Sequence, residues 1–220
     1  MSIKIQLYSL ATPNGRKVSI ALEEMELAYD AHTVNILEGE QFKEFFVNLN
    51  PNSKIPVIVD PEAADGKEQV VFESGAILLY LAEKTGKFLS TDPRKRNETI
   101  QWLFFQMASV GPMFGQFGHF YKYAKDKCQD PYPRERYANE VKRLLKVLDK
   151  RLEGRKFIID DDYSIADMAV FPWVGCLDWG YEAREFLEVD SYKNVVAWHD
   201  RCASRPKALA GANVCPFERA

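Results

Sequence analysis

The chain has 220 residues, 46% of them apolar, with 29 Lys and Arg against 32 Asp and Glu for a net charge of −3. That composition can build one long or two short cores and excludes a disordered chain, and the interleaved charges leave no basic footprint for nucleic acid, so a small-molecule partner is expected. Met1-Ser2-Ile3-Lys4-Ile5 lacks the apolar core of a signal peptide and no apolar run nears the ~20 residues of a membrane span, so a soluble, cytoplasmic protein with no membrane partner is expected.

Ile3-Lys4-Ile5-Gln6-Leu7-Tyr8 alternates with period two, Thr12-Pro13-Asn14-Gly15 makes a turn, and Val18, Ile20, Ala21, Leu22 and Met25 recur at helical spacing. This reads as strand, turn and helix. A second strand is expected over 29–34 and a helical stretch over 41–47. Residues 56–59 and 69–72 pair as a hairpin, and Ser74 to Lys84 forms a helix stopped by Gly86. The order βαβαββα is that of an α/β thioredoxin-like N-terminal domain, assigned to residues 1–88. From Asp92 onward the alternation gives way to apolar residues every three or four positions, over 94–124, 133–152, 165–179 and 192–203. An all-α C-terminal domain is therefore assigned to 93–220. The stretch from Gly111 to Gly118, rich in Gly and carrying Pro112, predicts a kink. Ser164-Ile165-Ala166-Asp167 has the form of a capping box, which gives Asp167 a structural role rather than that of a general base.

Two further stretches carry chemistry. In Asn52-Ser53-Lys54-Ile55-Pro56-Val57-Ile58 the Ile55-Pro56 bond can be cis at modest cost, which would turn the Ile55 main chain outward to pair with a peptide-like ligand. In Phe72-Glu73-Ser74-Gly75 the serine stands at the expected N-cap of a helix. There its hydroxyl and the first free amides offer donors to an anion, and Glu73 complements an ammonium. With Thr12-Pro13-Asn14-Gly15-Arg16-Lys17, Gly39-Glu40-Gln41-Phe42, Leu78-Leu79-Tyr80-Leu81-Ala82-Glu83-Lys84 and the capping box, in this order and spacing along nearly the whole chain, the sequence resembles cytosolic glutathione transferases. It is most similar to the bacterial Nu-class branch, related to the yeast prion-forming nitrogen regulator.

By residue type alone, Thr12 to Gly15 is a cap and turn that starts a helix. The resemblance implies more, namely that Thr12 and Asn14 are the catalytic pair contacting the sulfur of glutathione. Tyr8 is the competing donor, read here as a packed strand residue. The resemblance further implies that glutathione is held by Asn14, Gln41, the Ile55 main chain, Glu73 and Ser74, with Lys54 as a nearby cation. It also implies that Arg136 reaches glutathione across the interface of a homodimer. The implied activity is reduction of small disulfides with glutathione as co-substrate, with organic hydroperoxide reduction and weak conjugation of electrophiles beside it. A conventional transferase and a non-enzymatic glutathione-binding regulator are the alternatives. Met113, Phe114 and Phe117 are candidate walls of an apolar pocket, with His119 near them. Cys128, Cys176, Cys202 and Cys215 fit neither a metal site nor a disulfide framework. No metal is expected, and the reacting thiols would come from glutathione.

Overall fold

The computed structural model describes residues 4–217, so Ile3, where the predicted first strand starts, and the expected outer domain limits at 1 and 220 lie outside the described residues. The chain divides into two compact units. One runs to Leu89 and resumes at Ser204, and the other is Ser90–Ala203.

The first unit is built on a four-stranded sheet in the order β2-β1-β3-β4. Strand β1 (Ile5–Ser9) buries alternate residues Ile5, Leu7 and Ser9, as the period-two pattern requires. A turn leads to helix α1 (Pro13–Glu24), which has proline in its first turn, and then to β2 (Tyr29–Thr33), parallel to β1. A 3₁₀ turn (Glu40–Phe42) and α2 (Glu44–Leu49) precede β3 (Val57–Asp60), whose four residues are all buried in the middle of the sheet. Strand β4 (Gln69–Phe72) closes the hairpin, and α3 (Ser74–Thr85) ends at Gly86. Asp60 joins β3 to α3, receiving the Tyr80 hydroxyl at 2.6 Å and the Lys84 ammonium at 2.7 Å.

The same unit takes in the described residues from Ser204 to Phe217, which the sequence groups with the helical domain of 93–220. In the helical unit, α4 (Pro93–Phe105) starts at an Asp92 cap. It is followed by a π-helical turn (Gln106–Val110), α5 (Gly111–Gly118), a second π-helical turn (His119–Tyr123), α6 (Pro131–Leu152), α7 (Ile165–Trp179) and α8 (Lys193–Ala203). The predicted irregularity thus takes the form of two widened turns flanking Gly111–Gly118. Back in the first unit, α9 (Pro206–Ala212) lies on α1. A Cβ on Gly211 would fall 2.5 Å from the Ile20 Cα, Ser19 Oγ donates to the Gly211 carbonyl at 2.7 Å, and Arg205 makes a two-pronged ion pair with buried Glu24 at 2.6 and 2.7 Å.

Within the helical unit, α7 is apolar on nearly every side and buried along most of its length, with Asp167 in its first turn. The Asp167 carboxylate accepts from the amides of Ile158 (2.9 Å) and Ser164 (3.0 Å), from the Ser164 hydroxyl (3.1 Å) and from the Trp198 indole (2.8 Å). Burial pushes its pKa up and these four donors oppose that. The capping box is present. Phe114 and Phe117 are fully buried and so line no open pocket, Met113 is half-buried, and His119 is exposed.

Candidate functional site

The sheet register gathers most of the candidate residues. Strand β3 runs antiparallel to both β1 and β4, with Tyr8 opposite Val57 and Val57 opposite Phe72. The end of β1, the entrance to β3 and the end of β4 therefore lie at one end of the sheet. Because β2 is parallel to β1, the segment after Thr33 leaves from that end too. The loop carrying Gln41, the Thr12 turn, the Ile55-Pro56 entrance and the Glu73-Ser74 corner thus leave or enter the sheet at the same end. Two helices, α1 and α3, also start there, so two positive helix ends face that region.

At the first corner Thr12 is the N-cap of α1, its Oγ1 accepting from the Gly15 amide at 3.2 Å. Its hydroxyl hydrogen is thereby directed away from the helix as a donor. Thr12 and Asn14 are half-buried and flank Pro13, and the turn carries no thiol. Tyr8 packs as a strand residue, stacked on His32 with centroids 4.8 Å apart and tilted against Phe45.

At the entrance to β3 the Ile55-Pro56 bond is cis. Among the described residues no hydrogen bond engages the Ile55 main chain, while the Lys54 carbonyl accepts from Asn50 Nδ2 at 2.7 Å. The Lys54 side chain is exposed. Gln41 is half-buried in the 3₁₀ turn, and its amide oxygen is shielded without a hydrogen-bond partner among the described residues.

The corner between β4 and α3 departs from expectation in one respect. Glu73, not Ser74, is the N-cap, and Ser74 is the first helical residue. Glu73 has φ 68° and ψ 114°, a left-sided conformation that a non-glycine residue adopts at a cost of about 1–3 kcal/mol. Its side chain is exposed, whereas Ser74 is buried. Behind Ser74 stands a residue the sequence reading did not single out. Lys17, on α1, is wholly buried and its Nζ donates to Ser74 Oγ at 3.1 Å. Burial pushes the Lys17 pKa well down, and the negative charge of Glu73 pulls against that.

Arg136 is exposed on α6 of the helical unit. The four cysteines are free thiols, with Cys176, Cys202 and Cys215 buried and Cys128 half-buried. Among the described residues no group of three or more His, Cys, Asp or Glu is placed to hold a metal ion, and no helix is long and apolar enough to cross a membrane.

Residues 11–84 match the family model for the glutathione S-transferase N-terminal domain, and residues 112–206 match the glutathione S-transferase C-terminal domain. The disulfide-bond oxidoreductase YfcG of Escherichia coli is 48% identical over 203 residues, covering 92% of this chain and 91% of that protein. A glutathione transferase family member of Pseudomonas fluorescens, solved with two glutathiones bound, superimposes with a TM-score of 0.95 at 48% identity, covering 96% and 93% of the two chains. A glutathione transferase of Pseudomonas putida, solved with one glutathione disulfide per subunit, gives a TM-score of 0.94 at 49% identity, covering 96% and 91%.

Proposed function

The chain belongs to the glutathione S-transferase family, and from that premise we propose that it is a cytoplasmic glutathione-dependent disulfide-bond oxidoreductase of the Nu-class type. The observation that carries this reading is the meeting of the Thr12 turn, the Ile55 main chain and the Glu73-Ser74 corner at one end of the sheet. A γ-glutamyl peptide needs just such a set. Its α-carboxylate goes to the Ser74 hydroxyl at the positive end of α3, and its ammonium to Glu73. Its cysteinyl main chain pairs with Ile55, and its far end meets Gln41, with the Lys54 ammonium nearby.

That placement sets the thiol beside the N-terminus of α1. A thiol of pKa about 8.5 is only a few per cent ionised at neutral pH. Hydrogen bonds from the Thr12 hydroxyl and the Asn14 amide, added to the helix end, favour its thiolate. The thiolate attacks one sulfur of a small disulfide, forming a mixed disulfide and expelling the other half as a thiolate that takes up a proton. A second glutathione thiolate then attacks the glutathione sulfur of that mixed disulfide, so two glutathiones are oxidised to glutathione disulfide and the substrate leaves as two thiols. The two-glutathione and glutathione-disulfide complexes of the Pseudomonas relatives correspond to reactant and product of that sequence. The same thiolate reduces organic hydroperoxides and conjugates electrophiles only weakly. The working form is a homodimer in which Arg136 reaches glutathione across the subunit interface.

The test is glutathione-dependent reduction of a small model disulfide, run beside conjugation of an aryl halide on the same protein. Fast disulfide turnover with feeble conjugation is expected. Dominant conjugation would make the chain a conventional transferase, and tight glutathione binding without either activity would make it a regulatory module. Asn14→Ala and Ser74→Ala should each lower glutathione-dependent turnover.

A further inference from the structure

We propose that Lys17 is a positioning residue that orients the Ser74 hydroxyl and supplies, from behind it, the positive charge that selects the α-carboxylate of the γ-glutamyl end. The inference rests on the glutathione reading above and extends it to a residue beneath the binding surface.

Lys17 is fully buried, and its ammonium is 3.1 Å from Ser74 Oγ. Packing alone does not call for a lysine here, because a buried ammonium carries a desolvation cost that a methionine of similar length would not. With Lys17 charged the hydrogen bond runs from its ammonium to Ser74 Oγ, since an ammonium donates and cannot accept, and a carboxylate bound over Ser74 favours that charged form. Ser74 begins a helix of 12 residues, whose N-terminal end is positive. An incoming carboxylate would therefore meet a hydroxyl polarised by a cation, a positive helix end and, at Glu73, a separate acceptor for the ammonium on the same carbon.

The electrostatics favour the same assignment. In water-excluded surroundings a charge two bonds' reach behind a donor is felt far more strongly than at a surface. Glu73 is the negative group that pulls against the burial of Lys17, and burial is the larger effect. A ligand carboxylate bound over Ser74 adds a second negative charge on the open side. Lys17 and the γ-glutamyl carboxylate then stabilise each other through Ser74, with Glu73 held to the ligand ammonium.

The experiment pairs protein variants with a ligand variant. Affinities for glutathione and for γ-aminobutyryl-cysteinyl-glycine, which is glutathione without the α-carboxylate, are measured by calorimetry on the unaltered protein, Lys17→Met and Lys17→Arg. The unaltered protein should prefer glutathione by about tenfold or more, the scale of one charge-assisted hydrogen bond. Lys17→Met should lose most of that preference while binding the analogue as before, and Lys17→Arg should recover part of it. A folded Lys17→Met protein that keeps the full preference overturns the role of Lys17 and leaves the glutathione reading intact. Failure of the unaltered protein to bind glutathione overturns that reading itself. Should Lys17→Met not fold, the Lys17 Nζ resonance in the unaltered, lysine-labelled protein decides the matter. A shift on adding glutathione but not the analogue supports the proposal, and equal responses to both overturn it.

Discussion

Gly15→Ala sets two physical effects of opposite sign against each other at the turn that bears Thr12 and Asn14. Gly15 lies in the first turn of α1, and helix propensity alone would make alanine more stable by about 1 kcal/mol. The added Cβ, however, would lie 1.9 Å from the Leu10 carbonyl oxygen and 2.6 Å from Ser9 Oγ. An ordinary carbon–oxygen contact is about 3.3 Å, so the chain before Thr12 must retreat by roughly 1.4 Å. The obstruction is backbone, which cannot swing aside as the tip of a side chain would. Relief of that clash carries the Gly15 amide away from Thr12 Oγ1, a cap that is already 3.2 Å long. Overpacking of about 1–3 kcal/mol and a lost cap of about 1 kcal/mol, less the propensity gain, leave a destabilisation of about 1–3 kcal/mol. For a chain of this size that lowers the melting temperature by roughly 2–12 °C. A displacement of an ångström at a thiolate donor costs about 100-fold in kcat/KM. Thermal denaturation and glutathione-dependent disulfide turnover on the same preparation read both effects. A variant that melts a few degrees higher with unaltered turnover would show that propensity governs this turn and that the close approach to Leu10 is not maintained.

Three other variants test the fold and the source of the reacting thiol. Asp60 is desolvated, but the Lys84 ammonium, the Tyr80 hydroxyl and the Glu62 amide together hold its pKa below the usual carboxylate range. Its contribution to stability is therefore fully present above about pH 3.9 and lost as the pH falls through the lower folded value. Asp60→Asn should cost about 1–3 kcal/mol at pH 7 in urea denaturation and flatten the acid limb of the stability profile; an unchanged acid limb would refute the assignment. Asp167→Ala leaves buried amide and indole donors unpaired at about 1–3 kcal/mol each, so it should yield little folded protein, and a stable variant near the parent melting temperature would contradict that. Replacing all four cysteines with serine should leave glutathione-dependent turnover largely intact, whereas loss of activity with Cys128 or Cys176 would show that the protein contributes a reacting thiol.

The parts of the fold that are legible in the sequence are those fixed by short-range rules. The alternation Ile5-Gln6-Leu7-Tyr8 marks β1, Gly86 marks the end of α3, and the Ser164–Asp167 box marks the start of α7, because each depends on residues within a few positions. Lys17 escaped notice because a lysine beside Val18 on an amphipathic helix looks like a solvated residue. Its burial against Ser74, 57 positions on, is decided by tertiary packing. The placing of the segment from Ser204 with the first unit is decided in the same way. Helix α9 has only seven residues, and its place is set by contacts such as Ser19 to Gly211, 192 positions apart. Helix α3 starts at Ser74 as expected, and the displacement of its cap by one residue to Glu73 has a different origin. A glutamate with positive φ leaves no mark in composition, and the neighbouring serine is the better cap by residue type.

The free cysteines bear on why the proposed chemistry would borrow its thiols. Cys215 is the cysteine tied to the Thr12 turn, since its carbonyl accepts the Ala11 amide at 2.8 Å. It is nonetheless unsuited to attack a disulfide. Its side chain is 7% exposed, and burial pushes its thiol pKa up more than the Thr33 hydroxyl brings it down. A thiol held protonated and shielded supplies little thiolate and admits no substrate sulfur, which are the two conditions for exchange. The turn meanwhile offers a helix end and a directed hydroxyl with no sulfur of its own. Donors without a nucleophile suit a thiol that arrives with its ligand. Specificity then depends on how that ligand is seated, which places the selective burden on the Glu73-Ser74 corner and on the buried lysine behind it.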